Sequence, residues 1–119
     1  MAIDFCPPVG TEQLFHARSE DADGAACVYL HGEFDIAGVE LFEEECERIA
    51  ARGDHVARLD LADLTFMDGA GLRSILSAVN HARNNGRSLI VVNARPTIRR
   101  IFDLTRNSCL LATTNGERA

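Results

Sequence analysis

Apolar residues recur along this chain with two different periods, and the change of period marks where strands give way to helices. Alternating or short apolar runs predict strands at 14–19, 26–35, 55–64 and 88–93. A turn cluster at 19–24 joins the first two runs, which are therefore expected to form a hairpin. The run at 88–93 holds four consecutive apolar residues, which is typical of a strand buried on both faces of a parallel sheet.

Three stretches carry apolar residues at the spacing of one helix face. Their stripes consist of Val39, Phe42, Cys46 and Ile49; of Leu72, Ile75, Leu76, Val79 and Ala82; and of Ile98, Ile101 and Phe102, with Leu104 as an open addition. Gly53 and the segment 84–86 are typical helix stops, and Pro96 suits the first turn of the third helix. Cys46 is expected to pack in the core, because it lies on the apolar stripe of its helix.

The elements follow the order β-β-α-β-α-β-α, and a short last strand at 109–114 is an open addition. Strands that alternate with helices indicate an α/β fold with a mostly parallel sheet and right-handed crossovers. The length of 119 residues fits one domain, with its core at 14–111, a loose lead-in at 1–12 and a polar tail at 115–119. Because the chain has no tryptophan and a single tyrosine, its core is expected to be aliphatic.

Charge and hydropathy exclude several functional classes. The net charge is −6 and no run of basic residues occurs, which argues against nucleic acid as the main partner. No apolar run approaches the length of about 20 residues that a membrane span needs. The N-terminus does not have the form of a signal peptide either. A cytoplasmic protein is therefore expected.

The cysteines and histidines show no spacing that favours a disulfide framework or a metal site. The four cysteines are Cys6, Cys27, Cys46 and Cys109, and no two of them form a CxxC pair. The four histidines are His16, His31, His55 and His81. We interpret the cysteines as reduced thiols that mostly pack as small apolar groups, and we expect neither a metal nor a cofactor.

The sequence contains no evident catalytic set. Its serines lack a GxSxG frame. Asp35, Asp60, Asp63 and Asp68 lie near strand ends, where capping and solvation are the ordinary roles of a carboxylate. The segment 69–71 lacks the lysine of a phosphate loop and the third glycine of a dinucleotide fingerprint. An enzyme is therefore not expected. A helix start can still attract an anion through its free N–H groups, so a small nucleotide-binding α/β protein stays an alternative.

The segment 65–76, TFMDGAGLRSIL, places two glycines at the start of the most regular predicted helix. Asp68 is a suitable N-cap, because its carboxylate can accept a hydrogen bond from the backbone of the first helical turn. Two interpretations of Gly69 and Gly71 stay open: a tight turn that needs glycine dihedrals, or a bare surface on which another protein's backbone can sit. The segment follows a strand of a parallel sheet, and open α/β sheets bind their ligands at this edge.

Three segments, in this order, resemble the STAS domain family of bacterial anti-sigma factor antagonists. HGEFD (31–35) is similar to the family's G-E-L-D, and LDLADLTFMDGAGLRSIL (59–76) is similar to its central motif with D-S-S-G-L. SLIVVNARPTIRRIFDLT (88–105) resembles its strand, turn and third helix, so the likeness covers 14–111. The resemblance implies a STAS-like (SpoIIAA-like) α/β fold, a mixed, mostly parallel sheet of four to five strands with about three helices.

The resemblance also implies a partner and a switch. Family members bind an anti-sigma factor, usually a serine kinase with a histidine-kinase-like ATPase fold, and thereby free the sigma factor. The kinase ends this binding by phosphorylating the second hydroxyl residue of D-S-S-G, which adds about −1.5 to −2 charges. In this chain Asp68 matches the aspartate, Gly69 the first hydroxyl residue, Ala70 the acceptor and Gly71 the glycine. Alanine has no oxygen to phosphorylate, so the usual switch cannot operate at this position.

The first hypothesis is an anti-sigma factor antagonist that binds without phosphorylation control at the usual position. The partner-binding residues that the resemblance implies are Asp35, Asp68, Gly69, Ala70, Gly71, Leu72 and Arg73. Thr65 and Ser74 are alternative phosphate acceptors. Cys6 and Cys109 are candidates for redox control, provided that they are exposed.

Other roles for such a domain stay open. The chain could serve a lipid-transport ATPase or a large stress-signalling assembly, or it could form homodimers through strand edges. Family members usually continue into a fourth helix after the last strand, whereas only a short segment with a polar tail follows 104–108 here. Either the last helix is missing or the domain ends early. Loss of that helix is expected to expose part of one sheet face.

Overall fold

A four-stranded sheet forms the centre of the molecule, which a computed structural model describes for residues 14–22 and 24–111. Its strands are β1 (His16–Ala22), β2 (Ala25–Phe34), β3 (Val56–Met67) and β4 (Ser88–Val92). They lie side by side in this order, with β1 antiparallel to β2 and the other neighbours parallel. The predicted α/β fold with a mixed, mostly parallel sheet is confirmed.

Within the described residues, three helices connect or follow the strands: α1 (Val39–Arg52), α2 (Gly69–Asn84) and α3 (Pro96–Leu104). Short 3-10 turns precede α1 at Ile36–Gly38 and follow α3 at Ser108–Leu110. Because α1 and α2 each lead from one parallel strand to the next, both run opposite to the strands, side by side. Both helices therefore begin at the carboxyl edge of the sheet and end at its amino edge.

Local signals set the helix boundaries where the sequence predicts them. Gly53 ends α1 in the left-handed conformation, at φ 79°, and its N–H donates to the carbonyl oxygen of Ala50 at 3.1 Å. Gly86, at φ 75°, follows the end of α2, and Pro96 begins α3. The predicted stops and the predicted start are thus confirmed.

The core is built from the helix stripes and the buried face of the sheet. Its members are mostly aliphatic, but Phe34, Phe42 and Phe102 are also fully buried, so the expectation of an aliphatic core is wrong in part. The ring of Phe15 stacks on that of Phe34, with centroids 4.5 Å apart. Gly38 makes this stack possible, because a Cβ at that position would lie 2.5 Å from the Phe15 ring.

The hairpin of β1 and β2 extends further than its turn residues predict. β1 continues to Ala22, through most of the segment 19–24 that was expected to be a turn, and Ala22 pairs with Ala25. Gly24, at φ 82°, supplies the left-handed conformation that a tight connection needs. Pairing of β1 with β2 along the whole length of β1 therefore overrides the turn propensity of these polar residues.

The last described residues, 108–111, depart from the strand expected at 109–114, of which 112–114 lie outside the described residues. The segment Ser108–Leu110 forms a 3-10 turn, and Leu111 makes an isolated parallel bridge to Val91. β4 alternates between buried and less buried positions, so its predicted burial on both faces is wrong. The predicted lead-in at 1–12 and the polar tail at 115–119 lie outside the described residues.

Candidate functional site

β2 and β3 end side by side at the carboxyl edge of the sheet, and the segments that follow them meet there. Phe34 pairs with the last residue of β3, so Asp35 and Asp68 occupy equivalent positions after adjacent strands. The backbone N–H of Asp68 donates to the carbonyl oxygen of Phe34 at 3.2 Å, which joins the two segments. We call residues 35–38 and 66–73 together the edge site.

Both aspartates of the edge site cap the turn that follows them. Asp68 is the N-cap of α2, and its Oδ1 accepts a hydrogen bond from the N–H of Gly71 at 3.0 Å. Asp35 caps the 3-10 turn in the same way, through the N–H of Ala37 at 3.0 Å. The predicted cap is confirmed. Because the Asp68 carboxylate already occupies the positive end of α2, a phosphate group is disfavoured at this helix start.

Close packing requires a glycine at one of the two glycine positions near the start of α2, but not at the other. A Cβ on Gly71 would lie 2.6 Å from the carbonyl oxygen of Phe34 and 2.9 Å from Cγ of Met67, so this position needs a glycine for close packing. A Cβ on Gly69 would meet only the guanidinium of Arg73, at 3.5 Å. Gly71 therefore fixes α2 against β2, whereas Gly69 leaves the surface bare.

The expected partner-binding residues divide between the surface and the interior. Gly71 and Leu72 are buried, and Leu72 belongs to the core. Gly69 and Arg73 are exposed. The remaining three are half-buried: Asp35, Asp68 and Ala70. The structure brings these residues together at one edge, but only part of the set is accessible to a partner.

Two apolar residues of the edge site escape the sequence analysis. Ile36 is 73% exposed and Phe66 is 48% exposed, although both are strongly apolar. Simple alternation from Leu64 would bury Phe66, but the structure exposes it and buries Met67. The register of β2 against β3 shifts at irregularities between Tyr29 and Phe34, which alternation along one strand cannot reveal.

The other strand-end carboxylates have local partners or face solvent, as their ordinary roles predict. Asp60 accepts hydrogen bonds from the N–H of Ala62 at 2.9 Å and from the side chain of Asn93 at 2.9 Å. Asp63 is exposed. Asp60 therefore ties the end of β4 to β3, which is a structural role.

The alternative phosphate acceptors differ in their surroundings. The hydroxyl of Thr65 donates to the carbonyl oxygen of Gly32 at 3.1 Å, so it holds β3 against β2. Ser74 is half-buried and faces a cleft between α1 and α2. Both hydroxyls lie close to the edge site in sequence, and phosphorylation of either stays a prediction.

The described cysteines differ in reactivity because they differ in burial. Burial, followed by the charges of Glu43, Glu45 and Glu47, raises the pKa of Cys46 to about 12. Burial also raises the pKa of Cys27, so both thiols stay protonated at neutral pH. These two thiols are free, as is Cys109, which is exposed in the last 3-10 turn. The other redox candidate, Cys6, lies outside the described residues.

Within the described residues, no helix combines the length and the apolar character that crossing a membrane requires. No set of three His, Cys, Asp or Glu side chains in the same part of the chain is placed to hold a metal ion.

Comparison with known proteins assigns the chain to a family. The STAS domain family matches residues 16–117, which is most of the chain. The chain belongs to the STAS domain family. This STAS domain is 27% identical over 89 residues to the anti-sigma-B factor antagonist of Staphylococcus epidermidis, covering 75% of this chain and 82% of the relative.

Solved structures of STAS proteins share the fold. An anti-sigma factor antagonist from Mycobacterium paratuberculosis superposes with a TM-score of 0.73 at 23% identity, covering 83% of this chain and 84% of the other. Unphosphorylated SpoIIAA, also an anti-sigma factor antagonist, gives a TM-score of 0.68 at 19% identity over 85% of this chain and 87% of its own. SpoIIAA is also solved in a phosphorylated form, with a TM-score of 0.64 at 20% identity over 85% of this chain and 90% of its own. The curated relative and these solved proteins are thus named as anti-sigma factor antagonists, and the solved structures show the fold.

Proposed function

We propose that this STAS domain antagonises an anti-sigma factor by docking it at the edge site, without phosphorylation control at the usual position. The observation that carries the proposal is the accessible start of α2 at the carboxyl edge. There, Gly69 and Arg73 are exposed at the same edge as the apolar side chains of Ile36 and Phe66. The names of the relatives supply the class of partner.

The exposed apolar side chains supply a physical reason for binding. Complete burial of a fully exposed large apolar side chain contributes about 1.5–3 kcal/mol. Ile36 and Phe66 contribute a smaller amount, in proportion to their exposed fractions of 73% and 48%. Gly69 and Ala70 have little or no side chain, so a partner's backbone can approach the first turn of α2 closely. Arg73 supplies a charge at the rim, which contributes to orientation and to specificity more than to affinity.

The missing hydroxyl at Ala70 supports the absence of the usual switch. By the family resemblance, Ala70 stands where a kinase would phosphorylate a serine or threonine, two residues after Asp68. A phosphate at the first turn of α2 would place about −1.5 to −2 charges beside the capping carboxylate of Asp68. This chain cannot form that phosphate ester, so a kinase partner has no means of release at this position.

The resemblance also names the expected partner more closely, as a serine kinase with a histidine-kinase-like ATPase fold. Affinity capture from the native cell with the wild-type chain, followed by mass spectrometry, tests this expectation. Phe66→Glu places a charge in the proposed contact without touching the cap of α2. Arg99→Glu is the matched control, because Arg99 is exposed on α3 and is not part of the edge site.

An anti-sigma factor recovered with the wild type and with Arg99→Glu, but lost with Phe66→Glu, is the expected result. Recovery of a transport ATPase or of a stress-signalling assembly in its place would contradict the assigned partner. Equal recovery by all three chains would contradict the edge site. Asp68→Lys is a weaker test, because it also removes the cap of α2 and needs a circular dichroism spectrum to show that the chain still folds.

A further inference from the structure

Two histidines face each other across the hairpin of β1 and β2. His16 is the first residue of β1, and it pairs with His31 in the antiparallel register, at the end of the hairpin that lies farthest from the turn. Both side chains are exposed. Directly opposed residues of antiparallel strands have Cβ atoms about 4.5–5.5 Å apart, so two imidazoles at such a pair can reach one common ligand.

The pair lies on the face of the sheet that is turned away from the core. Leu30, which precedes His31 on β2, is buried in the core, and successive side chains of a strand point to opposite faces. His31 therefore projects from the outer face, and its cross-strand partner His16 lies on the same face. Solvent reaches both rings, so a small ligand can bind them without a change of fold.

The arrangement of the rings is close to what a tetrahedral metal ion needs. Their centroids are 5.8 Å apart and their planes are inclined by 59°, so the rings are not stacked. Zn²⁺ binds an imidazole nitrogen at about 2.0–2.1 Å, which places two rings on a tetrahedral ion with centroids about 5.2 Å apart. Two adjacent imidazole ligands of an octahedral ion would have centroids about 4.5 Å apart. The observed separation is thus nearer to the tetrahedral value, and a small rotation of the side chains closes the difference.

The groups around the pair do not oppose a cation. The nearby positive charge of Arg18 is paired with Glu20, and its guanidinium lies over the ring of Tyr29, 4.7 Å from the centroid. On the other side of β2, Asp63 of β3 pairs with His31 in the register and is exposed. The net charge of the whole chain is −6, which raises the concentration of cations near its surface.

We propose that His16 and His31 together bind one Zn²⁺ ion, each through one imidazole nitrogen. Imidazole is the commonest metal ligand in proteins and suits Zn²⁺ well. Within the described ranges no group of three His, Cys, Asp or Glu side chains is placed to hold a metal, so water molecules complete the coordination. The ion links β1 to β2 at the open end of the hairpin.

Nuclear magnetic resonance of the histidine rings in the full chain locates the ion. The chain has four histidines, and the other two, His55 and His81, are exposed outside the hairpin and are therefore internal controls. Zn²⁺ is expected to shift the ring signals of His16 and His31 together, with saturation at one ion per chain. Mg²⁺, which prefers oxygen ligands, is expected to shift none of the four. Absence of a saturable Zn²⁺ shift at His16 and His31, or an equal shift of all four rings, would overturn the proposal.

Single substitutions test whether the two rings act as a pair. His16→Asn and His31→Asn each leave one imidazole of the pair, whose signal still reports binding. Each variant is expected to bind Zn²⁺ at least about tenfold more weakly, because the second ligand no longer acts from a fixed position nearby. His55→Asn is the matched control and is expected to bind like the wild type. Wild-type affinity in either variant of the pair would overturn the proposal.

Thermal unfolding provides a second measurement, because only the folded hairpin holds the two rings together. Zn²⁺ at about 100 times its dissociation constant is expected to raise the melting temperature of the wild type more than that of His31→Asn. This comparison separates the pair from exposed thiols such as Cys109, which both chains retain. An equal rise in the two chains would place the stabilising ion elsewhere and overturn the proposal. The site belongs to the hairpin, so partner binding at the edge site can hold or fail independently of it.

Discussion

The carbonyl oxygen of Phe34 lies 2.6 Å from the position that a Cβ on Gly71 would occupy. The same oxygen accepts the backbone N–H of Asp68 at 3.2 Å. One carbonyl group at the end of β2 therefore fixes where α2 begins, and it does so only because residue 71 has no side chain. The docking surface that we propose depends on this contact, since it sets the height of the first turn of α2 above the sheet.

Gly71→Ala is expected to destabilise the fold by about 1–3 kcal/mol, because the added methyl group meets backbone that cannot move aside freely. Gly69→Ala is the matched control at the same helix start. Its methyl group meets only a flexible arginine, so stability is expected to stay unchanged or to rise by up to about 1 kcal/mol. Urea unfolding of the two variants measures the difference. Equal stabilities would contradict the close contact between α2 and β2.

Asp68→Ala is expected to cost about 1 kcal/mol of stability through loss of the N-cap hydrogen bond to Gly71. Asp68→Asn keeps an oxygen acceptor at the same place and is expected to lose less. Thermal unfolding of both variants at neutral pH provides the comparison. If Asp68→Ala melts at the same temperature as the wild-type chain, the cap contributes nothing to stability.

Cys46 is expected to make stability fall as the pH rises above 9. Its thiol has an ordinary pKa of 9.0, and burial with nearby glutamates raises the pKa to about 12 in the folded chain. Between these values the unfolded state binds fewer protons than the folded state, so rising pH favours unfolding. Urea unfolding between pH 8 and about 10 measures the slope, and Cys46→Ala is expected to reduce it. An unchanged slope in that variant would assign the pH dependence to other groups.

Ala70→Ser is expected to create a phosphate acceptor for the kinase partner. The new hydroxyl would lie two residues after Asp68, at the position that the family resemblance assigns to the acceptor. Incubation of the variant with the captured kinase and ATP, followed by mass spectrometry, detects the added phosphate, and the wild-type chain is the control. The kinase must first be shown to phosphorylate another STAS domain. If that kinase then leaves the variant unmodified at residue 70, the alignment of Ala70 with the family's acceptor position is contradicted.

The sequence alone predicts the features that are set by residues close to one another along the chain. The apolar stripes, the Asp68 cap and the glycine stop after α1 are all local, and the structure confirms them, except that Leu104, the open member of the third stripe, is 73% exposed. The contact of Gly71 with Phe34 and the exposure of Phe66 depend on how β2 and β3 align, so they are not evident from one strand's pattern. For the same reason, the family resemblance places Leu72 in the contact surface, although the structure buries it in the core.

The affinity of the edge site for its anti-sigma factor tests the central claim most directly. Isothermal titration of the purified partner into the wild-type chain, Ile36→Glu, Phe66→Glu and Arg99→Glu gives the four dissociation constants. We expect each edge-site variant to bind at least about 30-fold more weakly, which corresponds to about 2 kcal/mol, while Arg99→Glu binds like the wild type. Wild-type affinity in both edge-site variants, with their folds intact, would contradict docking at the start of α2.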